Sequence, residues 1–172
     1  MCQAWENMSQ VTIAAIEGYC LGGGVSLTVS CDFRVLGAGA RLSVPELKLA
    51  MNMSWQTLPR LTNLVGPAKA KRIVILGEMF DAGTALDWGW ADWVVEEGRA
   101  FEEALAAAEK IAAQPPIPVA MVKEAINVHA AAHNHLASFM DRDQFALTMF
   151  SRDHVEGVTA FLEKRAPRFT GE

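Results

Sequence analysis

The apolar positions fall into short runs in the first half of the chain and into helical spacing in the second. Val11-Thr12-Ile13-Ala14-Ala15-Ile16 is rich in β-branched residues and closes at Gly18, which predicts a buried strand. Gly22-Gly23-Gly24 follows, and Val25 to Cys31 then reads as a short apolar helix. Phe33-Arg34-Val35-Leu36, ended by Gly37-Ala38-Gly39, predicts a second strand, and strand, crossover and strand at this spacing imply α/β layering. Ser54 to Val65 and Ala68 to Leu76 are candidate helices divided by Gly66-Pro67, a stop followed by a start. Asp81-Ala82-Gly83 opens a further short helix to about Trp88, and Val94-Val95 predicts a short strand. Phe101, Leu105, Ala108, Ile111 and Ala112 recur on one helical face, so Ala100 to Ala113 is amphipathic until Gln114-Pro115-Pro116-Ile117-Pro118 breaks it. Helices over Val119 to His133, His135 to Phe150 and His154 to Arg165 complete the chain. The expected organisation is a core over residues 1–95 and a helical region over 96–172, forming one continuous unit.

Composition narrows the classes. The chain has 172 residues, half of them hydrophobic and a fifth charged, enough for a real core. A formal charge of −5 argues against nucleic acid, which rewards a basic face. No apolar stretch reaches the length of a membrane span, and Met1 to Glu6 lacks the basic start and apolar run of a signal peptide. Cys2, Cys20 and Cys31 are odd in number and lack metal-site spacing, so they read as reduced thiols of a cytoplasmic protein. His129 and His133 share a helical face with His135 close by, but nothing completes a metal site around them.

The glycine triplet carries the chemistry. Three glycines allow close approach of the backbone to a ligand, and a helix starting there offers unpaired N–H groups and the positive end of its dipole. Such a socket suits a phosphate or the oxyanion of a thioester enolate, although a tight turn without a ligand explains the triplet equally well. No Gly-Lys-Ser/Thr follows, as a P-loop requires, and the G-x-G-x-x-G spacing of a dinucleotide fold is absent.

Ile13-Ala14-Ala15-Ile16-Glu17-Gly18-Tyr19-Cys20-Leu21-Gly22-Gly23-Gly24, with Ser30-Cys31-Asp32-Phe33, resembles the signature segment of the enoyl-CoA hydratase/isomerase (crotonase) family. The likeness continues in order through Ser43-Val44-Pro45-Glu46, Arg60-Leu61, Val65-Gly66, Leu76-Gly77, Ala85 to Val95, Val122-Lys123-Glu124 and Glu156-Gly157 to Arg165. The resemblance implies an α/β, crotonase-like (ClpP/crotonase) spiral core, truncated at its N-terminus and followed by a helical C-terminal region. It implies a substrate that is an acyl-CoA thioester, no separate cofactor because coenzyme A is part of that substrate, and assembly as a homotrimer or hexamer.

The resemblance also assigns residues. The Gly23 N–H is expected to be one of two oxyanion donors, with Gly22 beside it in the ligand-binding loop. Of the family's two glutamates, the second is matched by Glu46, while the first position is Ser26 here. Ser26 is therefore a candidate for contact with water or substrate, and Glu46 the acid/base at the α or γ carbon. From spacing alone, Ser43-Val44-Pro45-Glu46 is more simply a helix capping box, and the resemblance reverses that preference. A single glutamate leaves hydratase and isomerase chemistry both open, and a non-catalytic relative that binds CoA or oligomerises is the alternative. Met51 to Gln56 replaces the glycine-rich stretch usual after the Pro-Glu pair. Met53 and Trp55 there suggest an acyl pocket altered for a compact group, or ordinary core packing. Lys164 and Arg165 suit the negative pole of the last helix, and the resemblance adds that Phe161 and Lys164 match positions contacting the CoA adenine and phosphates. The likeness covers about the C-terminal two-thirds of such subunits. Strand Thr12 to Ile16 is thus expected to have an unpaired edge. With the other oxyanion donor on chain not present here, this chain alone is expected to be weak or inactive.

Overall fold

The computed structural model describes residues 1–172. Its six strands form two three-stranded sheets that the chain visits in turn. β1 (Ile13–Ile16), β3 (Phe33–Gly37) and β6 (Trp93–Val95) make one all-parallel sheet in the order β1-β3-β6. β2 (Tyr19–Leu21), β4 (Arg41–Ser43) and β5 (Phe80–Asp81) make the other, with β2 parallel and β5 antiparallel to β4. β1 and β2 are one extended segment bent at Glu17-Gly18, and β3 with β4 repeats the bend at Ala38 to Ala40. Ile13 pairs with Phe33 and Tyr19 with Arg41, so each coil lays one strand on each sheet and the next coil stacks beside it. That is the expected spiral core. β1 lies at the edge of its sheet, also as expected from the sequence.

The strands β2, β4 and β5 have only two or three residues each, too short for the alternation of apolar and polar positions to stand out. They form because the coil beside them already holds the register.

The helices are α1 (Cys2–Glu6), α2 (Gly23–Thr28), α3 (Thr57–Val65), α4 (Pro67–Leu76), α5 (Ala82–Asp87), α6 (Ala100–Ala112), α7 (Pro116–Ala131), α8 (Asn134–Ser138), α9 (Asp141–Met149) and α10 (Arg152–Leu162). α7 starts three residues earlier than the proline run suggested, because proline is well accommodated in a first turn where no N–H partner is needed. The single helix expected over His135 to Phe150 is two, α8 and α9, divided at Phe139-Met140. α1 is short and carries no periodic signal. A bidentate ion pair from Glu6 to the buried Arg60 of α3, at 2.6 and 3.0 Å, fixes it.

The main core gathers Val25, Leu36, Leu42, Val44, Leu61, Ile73 and Trp90 between the sheets, α2, α3 and α4. Val35, Ala100 and Ala104 form a smaller cluster where α6 lies on the parallel sheet. Glu17, at the first bend, accepts the Ala100 N–H at 2.9 Å and so caps α6 from a distant part of the chain. Lys123 of α7 is nearly buried and reaches Asp32 at 2.7 Å and the Gln10 carbonyl at 2.7 Å, which joins the helical region to the start of β3.

Candidate active site

The glycine triplet is the last residue of a turn followed by the first two residues of α2. Gly22 is the N-cap, with φ 49° and ψ −110°, a backbone state that a side chain makes costly. Its N–H donates to the Ser43 carbonyl at 2.9 Å, which continues the β2–β4 ladder up to the turn. Gly23 and Gly24 follow in helical conformation, so their N–H groups lie in a first turn that has no acceptors of its own.

Glu46 faces this turn from the short 3₁₀ turn that follows β4. A Cβ built on Gly22 would run into Glu46 Oε1, so a side chain there would have to displace the carboxylate as well as adopt a strained backbone. Glu46 Oε2 is buried without a hydrogen-bond partner. Burial raises the Glu46 carboxyl above the usual carboxylate range, an effect partly offset by its own backbone N–H, and no charged neighbour contributes. A half-buried carboxylate with one oxygen unpartnered, set against a bare backbone turn, is chemically able to take up and release a proton there.

The capping box does not form. Ser43 is still in β4, paired with Leu21, and its hydroxyl donates to the Gly77 carbonyl at 3.2 Å. Pro45 occupies the cap position of a single 3₁₀ turn, Glu46–Leu49, with no side-chain cap. Freed from capping, Glu46 points at Gly22. α10 supports this turn from behind: His154 Nδ1 lies 2.8 Å from the Leu49 carbonyl, and a Cβ on Gly157 would come within 2.9 Å of the Leu49 backbone.

Ser26 is fully buried one turn into α2. Its hydroxyl lies 3.4 Å from the Gly22 carbonyl and 2.8 Å from the Thr57 hydroxyl, which is itself 2.6 Å from the Ser54 carbonyl. The side chain thus ties the glycine turn to the start of α3 and is closed to solvent. Position 26 presents no second carboxylate, and Thr57, its partner, had no signal in the sequence.

The stretch after Glu46 separates the two residues singled out there. Met53 is core, whereas Trp55 is more than half exposed, with its indole over the glycine turn. Two ring carbons stand 3.1 and 3.5 Å from a Cβ built on Gly23. Trp55 and Gln56 both take the left-handed backbone, at φ 63° and 58°, at a cost of about 1 kcal/mol or more each. The Trp55 carbonyl accepts from Arg60 at 2.7 Å and the Gln56 N–H donates to Asp141 at 2.9 Å, which holds the pair in place. Asp141 was unmarked in the sequence, since an acidic residue opening a helix reads as a dipole partner.

Phe161 and Lys164 are not in this cluster. Both are exposed at the C-terminal end of α10. A groove of 670 Å³ elsewhere, between α7 and the ends of α2 and α3, is mainly apolar, and its charged groups are already paired, Lys123 with Asp32, Arg60 with Glu6 and Arg34 with Asp92. Burial pushes the Cys20 and Cys31 thiols up, away from thiolate chemistry. No group of three or more His, Cys, Asp or Glu residues is arranged to hold a metal ion, and no helix is long and apolar enough to cross a membrane.

Comparison with known proteins follows the same lines. The model of the enoyl-CoA hydratase/isomerase family matches residues 2–172. A probable mitochondrial enoyl-CoA hydratase 2 of Arabidopsis thaliana is 34% identical over 168 residues, covering 96% of this chain and 55% of the relative. A crotonyl-CoA hydratase of Syntrophomonas wolfei is 33% identical over 164 residues, covering 95% and 63%. The chain therefore spans little more than half of the length of these relatives. Among solved structures, an enoyl-CoA hydratase from Mycobacterium avium subsp. paratuberculosis superposes with a TM-score of 0.93 at 25% identity, covering 98% of this chain and 69% of that one.

Proposed function

Because the chain belongs to the enoyl-CoA hydratase/isomerase (crotonase) family, we propose that it acts on an acyl-CoA thioester, using Glu46 as a single acid/base. The observation that carries this reading is the unpaired carboxylate of Glu46 packed against Gly22. In the proposed complex the thioester carbonyl oxygen lies at the Gly23 N–H, where negative charge develops as a proton leaves the α carbon. One such donor is worth roughly 3 kcal/mol in the transition state. Burial raises the affinity of Glu46 for a proton, which favours its taking up and returning that proton.

One carboxylate suffices to carry a proton between the α and γ carbons, which is double-bond isomerisation. Hydration asks the same group to activate water before the α carbon is protonated. Ser26 enters this reading as a positioning residue, since its buried hydroxyl links the glycine turn to Thr57. Phe161 and Lys164, both exposed, supply the adenine and phosphate contacts, with stacking and charge as the physical basis. The reaction needs no resident cofactor, as coenzyme A arrives with the substrate. The exposed apolar residues Ile117, Met121, Ile126, Phe139, Leu147 and Phe150 along the C-terminal helices support a trimer or hexamer of this chain. The three free cysteines suit the cytoplasm.

The test is turnover of crotonyl-CoA and of a 3-enoyl-CoA by wild type and Glu46→Gln. The expected loss is about 100-fold or more in kcat with little change in KM. Undiminished turnover removes Glu46 from the reaction. A second reading, a relative that binds CoA without turnover, is favoured by the engagement of Ser26, which leaves only one carboxylate at the turn. Measurable CoA binding with no turnover of either substrate supports it.

A further inference from the structure

The Trp55 turn is held by side chains of a helix 85 residues further along the chain. Three residues of α9 make the contacts. Asp141 accepts from the Gln56 N–H at 2.9 Å and from the Ser54 hydroxyl at 3.3 Å. Gln144 accepts from the Asn52 side-chain amide at 3.1 Å. The Thr148 hydroxyl accepts the Asn52 N–H at 3.0 Å. Positions 141, 144 and 148 are spaced i, i+3 and i+7, so they form one polar stripe on a single helical face. The stripe binds loop residues 52–56 through two backbone N–H groups and two side chains, and its outcome is a left-handed Trp55-Gln56 pair with the indole set down on Gly23.

An indole of two side-chain torsions, pinned at its backbone, is a rigid wall. Glu46 bounds the same turn on the Gly22 side and the ring bounds it on the Gly23 side. An acyl group whose carbonyl sits at this turn has to leave between them. The geometry points to Trp55 as a residue that determines acyl-chain size, and to Asp141 as the positioning residue that holds it there. This inference rests on the acyl-CoA reading above, and it adds the class of acyl group: short chains, with long ones excluded by the ring.

Saturated acyl-CoAs test it, since they bind without reacting. Calorimetry with butyryl-CoA and decanoyl-CoA gives an affinity ratio for each variant. Wild type is expected to favour butyryl-CoA, and Trp55→Ala to move the ratio toward decanoyl-CoA by about 10-fold or more. Trp55→Phe, a smaller change to the fold, is expected to move it in the same direction by less. Asp141→Ala is expected to shift the ratio the same way in the wild-type background and to add nothing in a Trp55→Ala background, while Asp141→Asn, which keeps an acceptor oxygen, retains the preference. An unchanged ratio in both folded Trp55 variants overturns the role of Trp55. An equal Asp141→Ala shift with and without Trp55 overturns its positioning role. If wild type binds butyryl-CoA and decanoyl-CoA equally well, this inference fails alone. If no CoA species binds, the proposed function fails first and this one with it.

Discussion

Replacing Glu46 by Gln removes a charge and keeps size and polarity, so it separates the stability effect of the carboxylate from its packing. In the folded protein burial makes the Glu46 carboxyl a weaker acid than in the unfolded chain. Between the ordinary carboxylate pKa and the raised one, the folded state therefore binds more protons than the unfolded state, and stability falls as pH rises through that window. Above the window the loss is complete; below it there is none. An unsatisfied buried polar group costs roughly 1–3 kcal/mol, and because Glu46 is only half-buried the lower end, about 1 kcal/mol, is the appropriate size. For a chain of this length, that is about 2–4 °C in Tm. Glu46→Gln is accordingly expected to melt a few degrees higher than wild type at pH 7, with the gap closing as pH falls below the carboxylate range. Calorimetric or circular-dichroism melts from pH 4 to pH 8 measure it. A gap that is constant across pH, or a variant that is less stable at pH 7, refutes the claim that Glu46 is held desolvated and unpaired.

Three further substitutions test the supports of the site. Gly22→Ala places a Cβ against Glu46 Oε1 in a backbone state suited to glycine, and is expected to cost about 2 kcal/mol or more in urea unfolding. Gly157→Ala pushes a Cβ into the Leu49 backbone at 2.9 Å, and the loss of α10 docking is expected to outweigh the gain in helix propensity of about 1 kcal/mol, giving a lower urea midpoint. Lys123→Met leaves the half-buried Asp32 with only the two donors of Thr12, and the expected loss is about 2–3 kcal/mol, below the full cost of an orphaned buried charge because those two bonds survive and the carboxylate keeps some access to solvent. An unchanged urea midpoint in any of the three removes the contact it probes.

Much of the scaffold was written in local pattern. The apolar runs at Ile13 to Ile16 and Phe33 to Leu36, the Gly66-Pro67 boundary and the periodicity of Ala100 to Ala112 each act over a few residues, and each became the element expected, although α6 buries Ala100, Ala104 and Ala107 and leaves Phe101 and Leu105 of the expected apolar face exposed. The family likeness likewise drew Gly22, Gly23, Ser26 and Glu46 together, and the fold places them around one turn. What the sequence left open depends on neighbours far along the chain. Whether Glu46 capped a helix or faced a glycine was decided by β4 continuing through Ser43, which follows from pairing with β2 and not from the spacing of Ser and Glu. Whether Met53 or Trp55 filled the core was decided by a left-handed turn that Asp141 and Arg60 stabilise from two other helices. Local sequence sets the preferences of a segment; it cannot report the partner that makes a strained backbone or an unpaired carboxylate the state of lowest free energy, because that partner is brought up only when the whole chain has packed.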